Sequence, residues 1–228
     1  MAGSQSATPL GMPAMSHPRS LLLLAVLLAC GTPVFAAAPR AASPAAATPA
    51  SAPKLHAAMR SLWHGHIVHA RDYAMAVHAH DDAKAKTAAD AVVANAHQIS
   101  DAVAGFYGKA GGDRMMELLG GHWGAVKALT DAQAQHDAAA GQKAMTDLAA
   151  NAGEIAKFLA GANPNLPEDT VRGLLLAHGA HHQQQVTQIM AGDMQAEGNT
   201  WTAMQQHMDA IADALAGAIA KQFPAKAS

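Results

Sequence analysis

The feature that most constrains this chain is a repeat. Ala94-Asn95-Ala96-His97-Gln98-Ile99, running on to Val103-Ala104-Gly105, returns 56 residues later as Ala150-Asn151-Ala152-Gly153-Glu154-Ile155, running on to Leu159-Ala160-Gly161. After a further 56 it returns, weaker, as Gln206-His207-Met208-Asp209-Ala210-Ile211, running on to Leu215-Ala216-Gly217. Upstream of each copy lies a second repeated element: Leu62 and His66, Leu118 and His122, Leu174 and His178. A period of this length suits one pair of helices joined by a short turn. Apolar residues recur in steps of three and four along Leu55, Met59, Leu62, His66, Ala70, Tyr73 and Val77, and nowhere alternate as a strand would. The expected fold is therefore all-α: a bundle of about six antiparallel helices, made of three αα-hairpin pseudo-repeats of 56 residues.

Half of the chain is apolar, but aromatic residues make up only 4% and Ala supplies much of the rest. Ala is the strongest helix former and a thin packing residue, which points to closely approaching helices and a modest core. Breaks are expected after Tyr107 at Gly108, Gly111 and Gly112, at Asp137 to Gly141, and at Asn163-Pro164-Asn165-Leu166-Pro167. Asp81 and Asp82 suit the cap of the second helix, and Asn199 or Thr200 that of the sixth.

Residues 1–36 read as a signal peptide. Arg19 precedes the apolar run Leu21 to Ala29, which is too short to span a bilayer and matches a secretory core. A start at Met12 or Met15 gives a more ordinary leader than Met1. Two cleavage readings compete: a lipobox, Leu27-Leu28-Ala29-Cys30, with Cys30 lipidated, and an ordinary site at Val34-Phe35-Ala36. Either implies export, to the periplasm or as a membrane-tethered lipoprotein. The only membrane contact expected is a lipid anchor at Cys30. Residues 37–53, rich in Ala, Pro and Ser, read as a tether, and 54–224 as the helical domain. A net charge of −2 without a Lys/Arg cluster gives no nucleic-acid partner.

Spacing assigns a candidate site. His66 and Asn95 lie at similar distances on either side of the turn near Asp81, so at ~1.5 Å rise per residue they stand at one height. The repeat carries this to His122 with Asn151 and to His178 with His207. Six polar side chains then share one layer midway along the bundle, with His182 one turn beyond His178. Imidazole suits zinc, copper, nickel or iron. Thirteen His and nine Met remain after the leader, with no Cys, a ligand set suited to copper in an oxidising compartment. The expected metal ligands are His66, His122, His178, His182 and His207, backed by Asn95, Asn151, Arg71 and Tyr73, for a transition metal, copper or zinc. A competing reading makes the same layer a buried His/Asn network that fixes helix register in a tethered structural or interaction module. A third makes it a pocket for haem or another small ligand.

Carboxylates are nearly absent from the inferred core faces, Glu154 being the plausible exception, so a di-iron site is not expected. No zinc-protease, haem-attachment or nucleotide-loop motif occurs, and no Ser/His/Asp arrangement is visible. The expectation is a protein that is not an enzyme.

The chain also resembles a family of small, secreted, all-helical bacterial proteins whose function is uncharacterised. The likeness covers roughly residues 55–224. It rests on Leu62-Trp63-His64-Gly65-His66 with Arg71 and Tyr73, on Asn151 to Ala156, on Ala162 to Pro167, and on Lys221-Gln222-Phe223-Pro224. Leu166 stands where such proteins tend to have Trp, and Ala70 where they tend to have Thr. Members are sometimes labelled glycosyltransferase, which neither an α/β pattern nor a nucleotide-sugar motif supports here. The resemblance implies the helical fold and the core His positions and supplies no mechanism.

Overall fold

The computed structural model describes residues 52–227. The expected leader, the lipobox at Cys30 and nearly all of the tether lie outside them. The described chain is all-α, with six helices: α1 Pro53–His78, α2 Asp82–Ala134, α3 Ala138–Ala162, α4 Glu168–Met190, α5 Met194–Gln222 and the short α6 Pro224–Ala227. None of them is long and apolar enough to cross a membrane.

The helices start where the sequence offers caps. Asp81 accepts from the Lys84 amide at 3.0 Å, Asp137 from the Ala140 amide at 2.9 Å, and Asp193 from the Ala196 amide at 3.0 Å. The residue before each, His80, His136 and Gly192, has positive φ and ends the preceding helix. These caps follow one another at the 56-residue spacing. The last corrects the expected start at Asn199 or Thr200: Asp193 begins the helix nearly two turns earlier.

The glycine-rich stretch after Tyr107 also differs from expectation. Rather than a loop, one residue, Gly108, leaves helical geometry (φ 79°, ψ 171°), and helix resumes at once inside α2. That φ favours glycine. Gly112 allows the two arms of the bend to touch, since a Cβ there would lie 2.8 Å from the Ser100 carbonyl oxygen. The helix counts agree for different reasons. α2 contains two expected helices, and α6 follows the stop at Phe223-Pro224.

The core falls into two main apolar parts. The larger contains Met59, Trp63, Ile67, Ala96, Ile99, Met115, Leu118, Leu119, Ala152, Ile155, Leu175, Met204 and Met208. The smaller contains Ala70, Tyr73, Val92, Trp123, Val126 and Leu148. Along α1 the change from one to the other falls between Ile67 and Ala70, beside His66. In α2 it falls between Val92 and Ala96, at Asn95, and again between Leu119 and Trp123, at His122. In α3 it falls between Leu148 and Ala152, at Asn151. Four of the polar residues that spacing put at one height, His66, Asn95, His122 and Asn151, thus lie at the boundary between two apolar regions, whereas His207 is flanked by Met204 and Met208 of the larger one.

Candidate metal centre

Four histidines meet inside the bundle: His66 from α1, His122 from α2, and His178 and His182 from α4. Each is buried, and each offers a ring nitrogen within 4.8 Å of those of the other three. The ring centroids of His66 lie 5.5, 5.9 and 6.2 Å from those of His122, His178 and His182. His122 lies 5.6 Å from His178 and 5.9 Å from His182, and the last two are 4.4 Å apart. His178 and His182 share one face because they are four residues apart on a helix. Their Nε2 atoms are 3.0 Å apart. Trp63 packs edge-on against His66, with centroids 5.9 Å apart.

Burial decides the charge state. It lowers the pKa of His66 to about 3, helped by repulsion from His122 and His69. It lowers that of His122 to about 4. It takes His178 and His182 well below the ordinary imidazole value, with the neighbouring histidines adding to the effect. At neutral pH the four rings are uncharged, so each has one lone pair to offer a Lewis acid, that of one of His178 and His182 being shared in the hydrogen bond between them. Nδ1 of His178 and both nitrogens of His122 are buried without a well-formed hydrogen bond, although Asn151 approaches His122 closely enough to offset a little of the lowering by burial. Unpartnered buried nitrogen is costly, and a bound cation would relieve it. At Zn–N distances of ~2.0–2.1 Å the edge of a tetrahedral site is about 3.3 Å, so no pair would have to close by more than about 1.5 Å. The ligand set fits an imidazole-binding transition metal. No carboxylate belongs to the group.

The remaining candidates stand apart from this group. Nε2 of His207 is 2.9 Å from the Leu174 carbonyl oxygen, and its ring lies against His181. Asn95 donates Nδ2–H to the Leu62 carbonyl and Asn151 to the Leu118 carbonyl, each at 3.0 Å. These three contacts recur at a spacing of 56 and explain why His207 is not brought among the four: it occupies the place of an asparagine that ties one helix to the next. Arg71 forms a bidentate pair with Glu197, at 2.6 and 2.8 Å. Gln185 donates to the same carboxylate at 2.9 Å. Tyr73 donates to Asp131 at 2.5 Å. Neither Arg71 nor Tyr73 is part of the histidine group.

Glu197 replaces Glu154 as the interior carboxylate. Its side chain is 1% exposed, whereas that of Glu154 is 58% exposed and meets Arg114 at the surface. The hydrogen bonds from Arg71 hold the Glu197 carboxyl below its usual range. No motif marks Glu197, since an acid in the first turn of a helix ordinarily faces water. Met59, Met115, Met204 and Met208 are all buried in the larger apolar part.

Beside the histidines lies a small cavity of about 30 Å³, lined by His66, His122, His178, Met208 and apolar neighbours that include Trp63 and Leu215. That is the room of about one water molecule, too little for a porphyrin. Comparison with protein-family models, with curated proteins and with solved structures gives no match to this chain. The reading of the site therefore rests on its own geometry.

Proposed function

We propose that this protein binds one transition-metal ion, copper or zinc, through His66, His122, His178 and His182, and serves the cell envelope in metal sensing, buffering or protection rather than in catalysis. The observation that carries this reading is the convergence of four buried, uncharged imidazoles with ring nitrogens within 4.8 Å of one another. A hydrophobic core gains nothing from four such groups unless they are paired or ligated. The leader and the family resemblance read from the sequence support an exported protein. Imidazole without thiolate is a ligand set that stays competent in an oxidising compartment.

The network reading draws support from a different set of residues. Asn95, Asn151 and His207 each reach a backbone carbonyl of a neighbouring helix and suit register control. The two roles are therefore divided: the outer polar residues tie helices together, and the inner four histidines hold the ion. Metal analysis of protein purified from zinc- or copper-supplemented medium tests this. The wild type carries one tightly held ion per chain, and His122→Ala carries none that survives dialysis against a chelator. A wild type free of stoichiometric metal sinks the proposal.

A further inference from the structure

A buried metal site needs a way in, and the structure holds a second histidine pair beside it. His181 precedes the ligand His182 on α4, and His207 lies on α5. Both are half-buried, where the inner four are closed off. Their ring centroids are 5.1 Å apart at an interplanar angle of 65°. His181 Nδ1 is buried without a partner. Since Nε2 of His207 is taken by Leu174, its Nδ1 remains for another bond. Leu174, His178 and His181 succeed one another by four and three residues, which puts the carbonyl held by His207, an inner ligand and an outer imidazole on one side of α4.

The hydrogen bond to Leu174 does not require histidine. Asparagine makes the equivalent bond at Asn95 and Asn151. Alanine stands 56 residues before His181, at Ala125. The third stretch thus carries two imidazoles that the second lacks, next to each other and next to the inner site.

We infer that His181 and His207 form a second, half-buried metal-binding pair that captures the ion and passes it to the inner four histidines. This rests on the proposed inner site. The transfer is ligand exchange: bonds from the ion to His181 and His207 break as bonds to His178, His182, His122 and His66 form, with no change in oxidation state.

Stopped-flow mixing of metal-free full-length protein with Zn(II) held by a chromophoric chelator measures this directly. The variants are His207→Asn and His181→Ala, each placing the residue found 56 positions earlier, and the double variant. Each single variant should load at least tenfold more slowly than wild type, while still reaching one ion per chain with unchanged equilibrium competition against the chelator. His122→Ala should keep a weaker ion on the outer pair, and adding His207→Asn should abolish it. Loading within twofold of wild type in both single variants overturns the inference and leaves the inner site standing. So does an equilibrium affinity that falls in step with the rate, because the pair would then belong to the final site. A wild type that takes up no zinc overturns both. Circular dichroism establishes that each variant is folded, and either single variant suffices if the other is not.

Discussion

Acidification of the metal-free protein between pH 7 and pH 5 should destabilise it well before its carboxylates titrate. The cause is the burial of the four histidines, first of all His66 and His122, whose pKa values lie at about 3 and about 4 in the folded chain. In the unfolded chain each returns to about 6.5. Below pH 6.5 the unfolded state therefore binds more protons than the folded one, and stability falls as pH falls. Their contribution is fully present above pH 6.5 and is lost on the way down toward the folded values. At pH 5 each costs about 2 kcal/mol relative to pH 7, and the two together about 4 kcal/mol. His178 and His182 are shifted in the same direction by the same burial and add to the loss. Domains of this size hold only about 5–15 kcal/mol in total. At ~2–4 °C per kcal/mol, the first two histidines alone lower the Tm by roughly 8–16 °C. Thermal melts of chelator-treated protein at half-unit pH steps measure this. A Tm that moves by less than a few degrees between pH 7 and pH 5 refutes the reasoning, because it means that the rings are solvated or already protonated in the folded state.

Three further outcomes follow from particular contacts. His122→Leu removes two unpartnered buried nitrogens, each costing on the order of 1 kcal/mol, so metal-free stability in urea should hold or rise while any metal-induced gain in Tm disappears; a loss above about 2 kcal/mol would mean that His122 is a network residue. Arg71→Ala strands the Glu197 carboxylate in the interior and should cost about 3–5 kcal/mol in urea unfolding; a loss under about 1 kcal/mol contradicts a buried ion pair. Gly65→Ala would ordinarily strengthen a helix by about 1 kcal/mol, but its Cβ would lie 2.9 Å from Asn95 Nδ2. It should destabilise the wild type and stabilise an Asn95→Ala background, and an equal effect in both backgrounds dismisses that contact.

Much of this was legible before the structure, and the reasons differ by residue. His66, His122 and His178 stand out because an apolar seam with a three-and-four rhythm carries a polar residue at the same place each time. His182 follows from helical periodicity, one turn on. Asp193 is equally legible, since it continues the series Asp81 and Asp137, but Asn199 and Thr200 are competing cap residues in the same stretch. Glu197 could not be read. A first-turn acid is ordinarily solvated, and only the approach of Arg71 from α1 and Gln185 from α4 makes it interior. His207 is expected among the metal ligands but meets Leu174 and His181 instead, because equal height on two helices says nothing about the rotation of either about its axis.

The sequence by itself determined the helical class, most helix limits and the level of the polar layer. These depend on local quantities: propensity, capping and 1.5 Å of rise per residue. Only the tertiary structure decided which members of that layer face one another. Four imidazoles turn inward to meet, while Asn95, Asn151 and His207 turn to backbone carbonyls of the adjacent helix. That choice depends on the azimuth of each helix against its neighbours, which is fixed by packing among Trp63, Leu118, Trp123, Leu148 and the many alanines. Such packing is a property of the assembled bundle, in which each helix finds its rotation only when the others are in place.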